Sequence, residues 1–357
     1  GYSLYDFKQR QKLVIVIEYI KNGSIERILK NERKGVPIDI WTNTMRLINI
    51  YGIALAIQYL HSKNILHLDI KPYNVFVDDF IFPKICDFGL SKKLNNGLKC
   101  VSNIEGTPSF MAPEIFKEKV STKKTDVYAF GMLVYEMINK EYPFDGLSSA
   151  QIMSEVVFNN KKLLEIKENV PKIYKELIES CWNNDPDQRP SFEEIVLKLK
   201  TNEEFISEDI DSKLYHSYIE IIDDEVNAFK KRSETNKILI KELQTVSLKK
   251  IQRILEKKKK NNENEKQNIL LSLKAKQIDL NFFEIKDLIV SGLFGKVYKI
   301  RHKETGQIFT AITMISKENE PSFLRELIIH SEVNHPSITK LIGCSLFDFE
   351  RRETFPL

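Results

Sequence analysis

Cysteine is scarce in this sequence, and its spacing excludes several kinds of site. The four cysteines, Cys86, Cys100, Cys181 and Cys344, lie far apart and form no C-x-x-C pair, so neither a disulfide framework nor a structural zinc site is expected. Long apolar runs are also missing, because no stretch approaches the roughly 20 residues that cross a bilayer. No signal peptide is expected either. The sequence therefore predicts a reduced intracellular protein, which we expect in the cytoplasm and away from membranes.

An excess of one charge sign is missing as well. The 357 residues carry 54 Lys and Arg against 50 Asp and Glu, a formal net charge of +4. The most basic run, Lys257–Lys260, lies beside Asn and Glu instead of aromatic residues, which is typical of a solvated segment, so no nucleic-acid partner is expected. A hydrophobic content of 42% is enough for one large or two medium cores.

The two ends of the chain resemble each other. The sequence opens with GYSLYDFKQR and later reads GCSLFDFERR, and self-similarity of this kind indicates repeated units. Its first residue is Gly and not Met, so we expect a fragment or a processed product. The recurring positions are Gly1, Ser3, Leu4, Asp6, Phe7 and Arg10, which correspond to Gly343, Ser345, Leu346, Asp348, Phe349 and Arg352.

The sequence up to about Thr201 predicts one mostly helical domain. The run Lys12–Ile20 is rich in β-branched residues and then turns polar, as a buried strand followed by a turn does. Apolar residues recur with a period near 3.6 through residues 42–64, which predicts a long buried helix. Residues 90–106 are rich in Gly, Ser, Asn and Lys and predict a loop. A Ser at position 191 followed by Glu194 predicts a capping box at the last helix.

The residues that can carry chemistry lie between the long helix and this loop. HLDIKPYN places Asp69, Lys71 and Asn74 within one turn, and the DFG motif supplies Asp87 shortly afterwards. Two carboxylates, an amide and an ammonium can together hold a divalent cation and a polyphosphate, and Asp69 can accept a proton from an attacking hydroxyl. Two unrelated polar turns are the alternative.

With GTPSFMAPE, TDVYAFG and CWNNDPDQRP, these motifs resemble the eukaryotic protein kinases, and among them the tyrosine-kinase-like group of serine/threonine kinases. The resemblance implies an α+β kinase fold whose mostly helical lower lobe, with strands four and five and the hinge, comes first in the chain. It also implies transfer of the γ-phosphate of ATP to Ser or Thr hydroxyls of a protein substrate, with Mg²⁺. Asp69 would be the catalytic base, Lys71 would steady the transferring phosphate, and Asn74 and Asp87 would bind magnesium.

The resemblance assigns structural and regulatory roles to further residues of the same lobe. Glu114 of the APE motif is expected to pair with Arg189, and Asp126 is expected to brace the catalytic loop. Gly89 completes the DFG motif. Thr107, together with the lysine after HLDI, points to Ser or Thr as the phosphate acceptor.

The resemblance also locates the adenine pocket in the segment LVIVIEYIKNGS. Ile17 would be the gatekeeper, Glu18 and Ile20 would bind adenine through the hinge backbone, and Phe76 would form the pocket floor. A plain core strand is the alternative for this segment. Leu68 replaces the arginine that the family usually carries before the catalytic aspartate, so a phosphate on the activation loop would lack one cationic partner.

The upper-lobe elements of a kinase appear at the far end of the chain. DLIVSGLFGKVYKI resembles the glycine-rich loop, with Val290 at the first glycine position and with Gly292 and Gly295 retained. Val297, in this loop, and Ala311, in the following strand, are assigned to ATP binding.

The strand that should carry the phosphate-binding lysine is degenerate. TAITMI places Thr313 at the lysine position, so Glu326 of the next helix would lack its ammonium partner. Lys296 could substitute, as a loop lysine does in the with-no-lysine kinases. Otherwise this upper lobe would belong to a pseudokinase or to a weak kinase.

We therefore divide the chain into a kinase domain without its glycine-rich loop and lysine strand (1–204), a helical and low-complexity linker (205–277) and a partial, degenerate upper lobe (278–357). A tandem kinase would yield such a fragment, and a circular permutation in which the last part docks on the first is sterically possible. Two copies of the fourth strand would then compete for one position. The linker helices could bind a partner helix or another kinase lobe, or pack on their own kinase. A pseudokinase scaffold that binds partners without catalysis, and an assembly protein driven by the linker, are the alternatives to an enzyme.

Overall fold

A computed structural model describes residues 14–36, 38–94, 100–101, 104–158, 164–228, 278–291, 295–314 and 320–345. This part of the chain forms a large helical lobe and a smaller lobe built on a sheet, which confirms the mixed α and β fold. None of the described helices combines the length and the apolarity needed to cross a bilayer. The helices of the large lobe are α1 (Ile25–Arg33), α2 (Asn43–Ser62), α3 (Pro113–Glu118), α4 (Lys123–Asn139), α5 (Ser149–Phe158), α6 (Lys172–Cys181), α7 (Phe192–Thr201) and α8 (212–228).

The predicted helix starts are present in the large lobe. Thr42 caps α2 by accepting a hydrogen bond from the N–H of Met45 at 3.3 Å, and most residues of this helix are buried, as an interior helix requires. Ser191 and Glu194 exchange hydrogen bonds in a capping box at the start of α7, and Thr122 forms a similar box at the start of α4. These caps satisfy N–H groups that the first helical turn leaves without partners.

Short antiparallel strand pairs fix the polar segments of the large lobe. The paired strands are β2 (Ile65–Leu66) with β5 (Lys92–Lys93), β3 (Val75–Val77) with β4 (Pro83–Ile85), and β6 (Cys100–Val101) with β7 (Val120–Ser121). Segment 67–74 therefore runs from β2 to β3, and segment 86–91 runs from β4 to β5. Both ends of each segment are held by strand hydrogen bonds.

The smaller lobe is a five-stranded antiparallel sheet built from both ends of the chain. Its strands are β1 (Val14–Glu18), β8 (Phe283–Ser291), β9 (Gly295–His302), β10 (Ile308–Met314) and β11 (Leu341–Ser345). Their order in the sheet is β11-β1-β10-β9-β8. Ile17 of β1 lies opposite Thr310 of β10, and Val16 lies opposite Gly343 of β11. The strand from the start of the chain is thus enclosed by strands from its far end.

The two faces of this sheet bury different clusters. Directly opposite residues of antiparallel strands point to the same face, and neighbours along one strand point to opposite faces. Ile17, Thr310 and Ile312 therefore share the face that helix α9 (Glu320–Glu332) covers, called here the α9 face. Ala311 and Thr313 share the opposite face, where Ala311 packs with a second cluster.

The loop between α9 and β11 joins the smaller lobe to the larger one. The N–H of Ile85 in β4 donates to the carbonyl of Ser337 at 2.8 Å, and the N–H of Thr339 donates to the carbonyl of Ile85 at 2.9 Å. The N–H of Asn334 also donates to the hydroxyl of Tyr59 in α2 at 3.1 Å. The segment from the end of the chain is therefore docked on the chain's own large lobe.

The core of the large lobe continues past residue 204, where the sequence analysis placed a domain boundary. Phe205, Tyr215, Tyr218 and Ile222 are buried in the same cluster as α2. Of the partners considered for the linker helices, residues 205–228 therefore pack against the chain's own kinase lobe. The low-complexity segment and the rest of the linker, 229–277, lie outside the described residues.

The repeated segments are described only in part. Gly343 and Ser345 belong to β11, whereas the matching residues near Gly1 and the segment 346–357 lie outside the described residues. Competition between the two copies for one strand position stays a prediction.

Candidate active site

The segment that carries Asp69 is held by one buried carboxylate. Asp126, in the first turn of α4, accepts hydrogen bonds from the main-chain N–H of His67 at 2.9 Å and of Leu68 at 2.8 Å. Its Oδ2 also lies 2.8 Å from Nε2 of His61. Leu68 has a φ of 64°, a left-handed conformation that is costly for a residue with a Cβ. The hydrogen bonds to Asp126 stabilise this turn, which is the bracing geometry expected from the sequence.

Asp69, Lys71, Asn74 and Thr107 converge on one point of the cleft. Nζ of Lys71 lies 2.8 Å from Oδ2 of Asp69 and donates to Oγ1 of Thr107 at 3.1 Å. Nδ2 of Asn74 donates to the same Asp69 oxygen at 2.7 Å. A carboxylate oriented in this way can accept a proton from a hydroxyl beside it, and the ammonium can stabilise negative charge that develops on a phosphate.

Asp87 lies just after β4 and faces the same cleft. It has a φ of 65°, and the N–H of Gly89 donates to its Oδ1 at 3.1 Å. Burial, and then repulsion from the neighbouring Asp69 carboxylate, raise the pKa of Asp87. Asp87 keeps an exposed edge at the cleft. Because water reaches this edge, the effect of burial is reduced and the repulsion from Asp69 is the more important cause.

The donor atoms at this point suit a hard divalent cation. Two carboxylates that repel each other would both be stabilised by a bound cation, and Mg²⁺ prefers carboxylate and carbonyl oxygens. The amide of Asn74 uses its nitrogen on Asp69, which leaves its oxygen available. Asp87 and Asn74 therefore fit the magnesium ion that the kinase resemblance implies.

A buried stack of rings connects the catalytic loop with α9. The ring centroid of Phe88 lies 5.3 Å from that of His67 and 5.1 Å from that of His330. Arg325 of α9 donates to the carbonyl of Gly89 at 3.0 Å. The sequence analysis did not single out His330 or Arg325, although His330 lies one helical turn after the expected glutamate of this helix. These contacts hold the turn after β4 against α9.

Glu114 and Arg189 form a buried bidentate pair. Nη1 of Arg189 lies 2.8 Å from Oε1 of Glu114, and Nη2 lies 3.0 Å from Oε2. Thr125 donates to the same carboxylate at 3.0 Å, and the Arg189 guanidinium lies 5.1 Å from the ring centroid of Tyr128. Parallel hydrogen bonds of this kind are geometrically specific, so the pair fastens the first turn of α3, and with it the segment before α3, to the base of the large lobe.

The expected hinge follows β1 directly. Ile17 is buried on the α9 face, and the N–H of Glu18 donates to the carbonyl of Lys340 at 3.0 Å. Ile20 makes no main-chain hydrogen bond within the described part of the chain, so its backbone can bind a ligand edge. Phe76 lies in β3 and is half-buried.

The glycine-rich loop is described only at its edges. Gly292 lies outside the described residues, whereas a Cβ on Gly295 would lie 2.5 Å from the carbonyl oxygen of Thr313, so only glycine fits this close approach. Val290 is paired with Val297 in the sheet and is 54% exposed. Val297 lies on the α9 face, as an adenine contact in this position requires.

The structure corrects the two assignments in β10. Ala311 and Thr313 lie on the face opposite Ile17, so placing Ala311 at ATP and Thr313 at the lysine position was wrong. Thr310 and Ile312 occupy the α9 face instead, and Ile312 packs against the cluster that includes Phe323 and Leu327 of α9.

The sequence does contain a signal that would have given this register. The turn that includes Gly306 joins β9 to β10, and turn geometry fixes which residues of a hairpin lie opposite each other. In the structure Ile312 lies opposite Val297. Counting outward from the turn would therefore have placed Ile312 on the same face as Val297.

Glu326 lies on α9, and no cation among the described residues is placed to balance it. It is 8% exposed, and its pKa is raised to about 8 by burial and by the nearby Asp87 carboxylate. Lys296 lies opposite Thr313 in the sheet, on the face away from α9, which does not favour it as a substitute for the missing lysine. No residue of the described strands thus supplies an ammonium to Glu326.

Comparison with known proteins identifies the family. The family model described as protein kinase domain matches residues 3–199. The serine/threonine-protein kinase CTR1 of Arabidopsis thaliana is 37% identical over 194 residues, which cover 54% of this chain and 23% of that protein. The dual specificity protein kinase shkC of Dictyostelium discoideum is 34% identical over 192 residues, which cover 53% of this chain and 37% of that protein. The aligned region spans well under half the length of either relative.

Proposed function

We propose, because the chain belongs to the protein kinase family, that it transfers the γ-phosphate of ATP to Ser or Thr hydroxyls of protein substrates with Mg²⁺. The observation that carries this proposal is the orientation of Asp69 by Lys71 and Asn74 beside Asp87. Cys86, Cys181 and Cys344 are buried free thiols, which supports the proposed intracellular location, with the cytoplasm as the compartment.

The side chains of the cleft divide the reaction among them. Asp69 accepts the proton of the substrate hydroxyl, because Lys71 and Asn74 orient its carboxylate toward the cleft. Lys71 bridges Asp69 and Thr107 and stabilises the charge on the transferring phosphate. Asn74 and Asp87 would hold Mg²⁺, which when bound neutralises phosphate charge and aligns the polyphosphate.

We also propose that the catalytic unit is assembled from both ends of the chain. Supporting this circularly permuted arrangement, β1 pairs with β10 and β11, and β4 exchanges hydrogen bonds with the α9–β11 loop. In this division residues 14–228 form the lower lobe and the first upper strand, and residues 278–345 complete the upper lobe. On this proposal the chain derives from a tandem kinase, and the upper lobe of the neighbouring unit docks on the lower lobe of the first.

A pseudokinase scaffold is the second candidate, and one observation favours it. Ile312 occupies the α9 face of β10, where an ammonium would be needed to balance Glu326 and to contact the phosphates. A scaffold would bind protein partners through the folded lobes without phosphoryl transfer. Association through the linker helices remains a prediction for residues beyond 228.

The test is MgATP binding by calorimetry together with transfer of labelled phosphate to a generic protein acceptor. Asp87→Asn should abolish magnesium-dependent binding, whereas Asp69→Asn should keep binding and slow transfer by about 10²- to 10⁴-fold. Asp79→Asn, at an exposed position outside the cleft, is the matched control and should behave as the wild type.

The outcomes separate the candidates. Binding without transfer in the wild type would favour the scaffold. An Asp87→Asn variant that binds MgATP as tightly as the wild type would remove the proposed magnesium site.

A further inference from the structure

Helix α8 is fixed to the rear of the large lobe. Asp211 caps its first turn by accepting a hydrogen bond from the N–H of Leu214 at 3.0 Å, and the N–H of Asp211 donates to Oγ1 of Thr44 at 2.9 Å. The hydroxyl of Tyr215 donates to the carbonyl of Leu199 in α7 at 2.9 Å. α8 is therefore attached to α7 and to the start of α2, and it belongs to the folded lobe.

One residue of α8 extends across the surface of α2 toward the strands. The side chain of Tyr218 is 1% exposed, and its ring centroid lies 4.5 Å from that of Phe82. A Cβ on Gly52 would collide with the Tyr218 hydroxyl and would lie 2.6 Å from Cγ of Pro83. Glycine inside a helix costs about 1 kcal/mol relative to alanine, so its presence in α2 is explained by the space that Tyr218 needs.

The hydroxyl of Tyr218 ends beside the α9–β11 loop. Burial raises the pKa of Tyr218, and the hydroxyl of Ser337 acts in the opposite direction. Within the described part of the chain the buried Tyr218 hydroxyl has no hydrogen-bond partner. Ser337 is 1% exposed, and its carbonyl accepts the N–H of Ile85 at 2.8 Å. The loop is thus enclosed between β4 on one side and Tyr218 on the other.

This contact lies close to the nucleotide site along the chain. Ile85 is two residues before Asp87, and the loop leads from α9, which carries Glu326, to β11. Tyr59 holds the start of the loop from α2 through the N–H of Asn334, and its ring centroid lies 5.2 Å from that of His335. Tyr218 packs on Phe82 and lies close to Pro83 at the start of β4, and Ile85 at the end of β4 carries the hydrogen bonds to the loop.

We propose that Tyr218 is a positioning residue, which holds the α9–β11 loop against β4 and thereby sets the position of Asp87 and of α9. According to this proposal, helix α8 is part of the nucleotide-binding unit. The effect on MgATP rests on the proposed function, whereas the effect on the loop does not depend on nucleotide.

The experiment compares Tyr218→Ala with Tyr215→Ala in the full chain. Both changes remove a buried tyrosine ring from the same helix, but Tyr218 packs on Phe82 and Pro83 beside β4, whereas Tyr215 packs on Tyr51 and bonds to Leu199. Hydrogen–deuterium exchange without nucleotide is followed by mass spectrometry in peptides that cover the Ile85 and Thr339 amides, and MgATP affinity is measured by calorimetry.

Tyr218→Ala is expected to speed exchange of these amides by about tenfold or more and to weaken MgATP by roughly threefold to tenfold. Tyr215→Ala should lower the melting temperature by a similar amount and leave both readouts near the wild type. Tyr218→Phe keeps the ring and should restore MgATP affinity to within about twofold.

Equal exchange and equal affinity in the two alanine variants would overturn the proposal and leave α8 a purely stabilising helix. If Tyr218→Ala does not fold, Tyr218→Leu removes the ring with a smaller loss of buried volume and gives the same test. If the wild type binds no MgATP, the proposed function fails, but the exchange comparison still decides the role of Tyr218.

Discussion

Replacing Ile312 with lysine tests which residue of β10 occupies the position of the missing cation. Ile312 lies half-buried on the α9 face, where a lysine stem can follow the apolar cluster and place its ammonium toward the cleft. Thr313→Lys is the matched control, because the next residue along the strand points to the opposite face. We expect Ile312→Lys to tighten MgATP binding and Thr313→Lys to leave it unchanged.

The expected gain follows from the charges around the site. Burial and the Asp87 carboxylate raise the pKa of Glu326 to about 8, so it is mostly protonated at neutral pH, and a nearby ammonium would favour its charged form. A hydrogen bond between an ammonium and a phosphate contributes about 1.5–3 kcal/mol, which corresponds to roughly 10- to 150-fold in affinity. Loss of the half-buried Ile312 side chain costs on the order of 1 kcal/mol of folding free energy. This cost is the same with and without MgATP, so we expect binding at least about tenfold tighter.

Calorimetric titration of the wild type, Ile312→Lys and Thr313→Lys with MgATP measures this difference directly. Tightening by Thr313→Lys alone would restore Thr313 as the lysine position and refute the register argument. Equal tightening by both variants would show that any added positive charge near the cleft is sufficient, which the face argument does not allow.

Two further predictions concern buried charges of the large lobe. Arg189→Met should lower the free energy of unfolding by about 3–5 kcal/mol, because it leaves Glu114 buried without its partner; denaturant titration measures the loss, and a change below about 1 kcal/mol would contradict it. Glu136→Gln should flatten the pH dependence of stability. Burial raises the pKa of Glu136 from 4.5 to about 8 against the hydrogen bond from Arg33, so the folded chain keeps a proton that the unfolded chain releases. Wild-type stability should therefore fall as the pH rises from about 5 to about 8. The melting temperatures of the two proteins are measured across this pH range, and an equal dependence on pH in both would disprove the assignment.

The catalytic loop could be predicted from sequence because its geometry is local. Asp69, Lys71 and Asn74 lie within six residues of one another, and one turn of fixed conformation brings them together. The pairing of Glu114 with Arg189 spans a long stretch of chain, and it was predictable only through the family resemblance. Physical spacing alone would not have joined these two residues.

The errors arose where the answer depended on register and on tertiary packing. A strand has a period of two, so a displacement of one residue exchanges its faces, and this is how Thr313 was chosen instead of Ile312. The amphipathic pattern of α8 allowed a partner helix and the chain's own lobe equally well. The packing of α8 distinguishes the two, as Tyr218 over Gly52 shows, and the hydrophobic periodicity of the sequence does not reveal which surface a helix packs on.

The position of β1 explains why the two ends of the chain meet. A strand with two open edges leaves rows of N–H and C=O groups without partners, and Val14–Ile17 are buried and apolar, so β1 requires a strand on each side. The repeated segments near Gly1 and Gly343 are similar in sequence, so side-chain identity alone would select weakly between the two copies. The copy at Gly343 follows Val333 and Ile338, which are buried in the core of the large lobe. Docking of this copy therefore gains the burial of the α9–β11 loop in addition to the strand hydrogen bonds, and that additional burial favours the arrangement in which the far end of the chain completes the sheet.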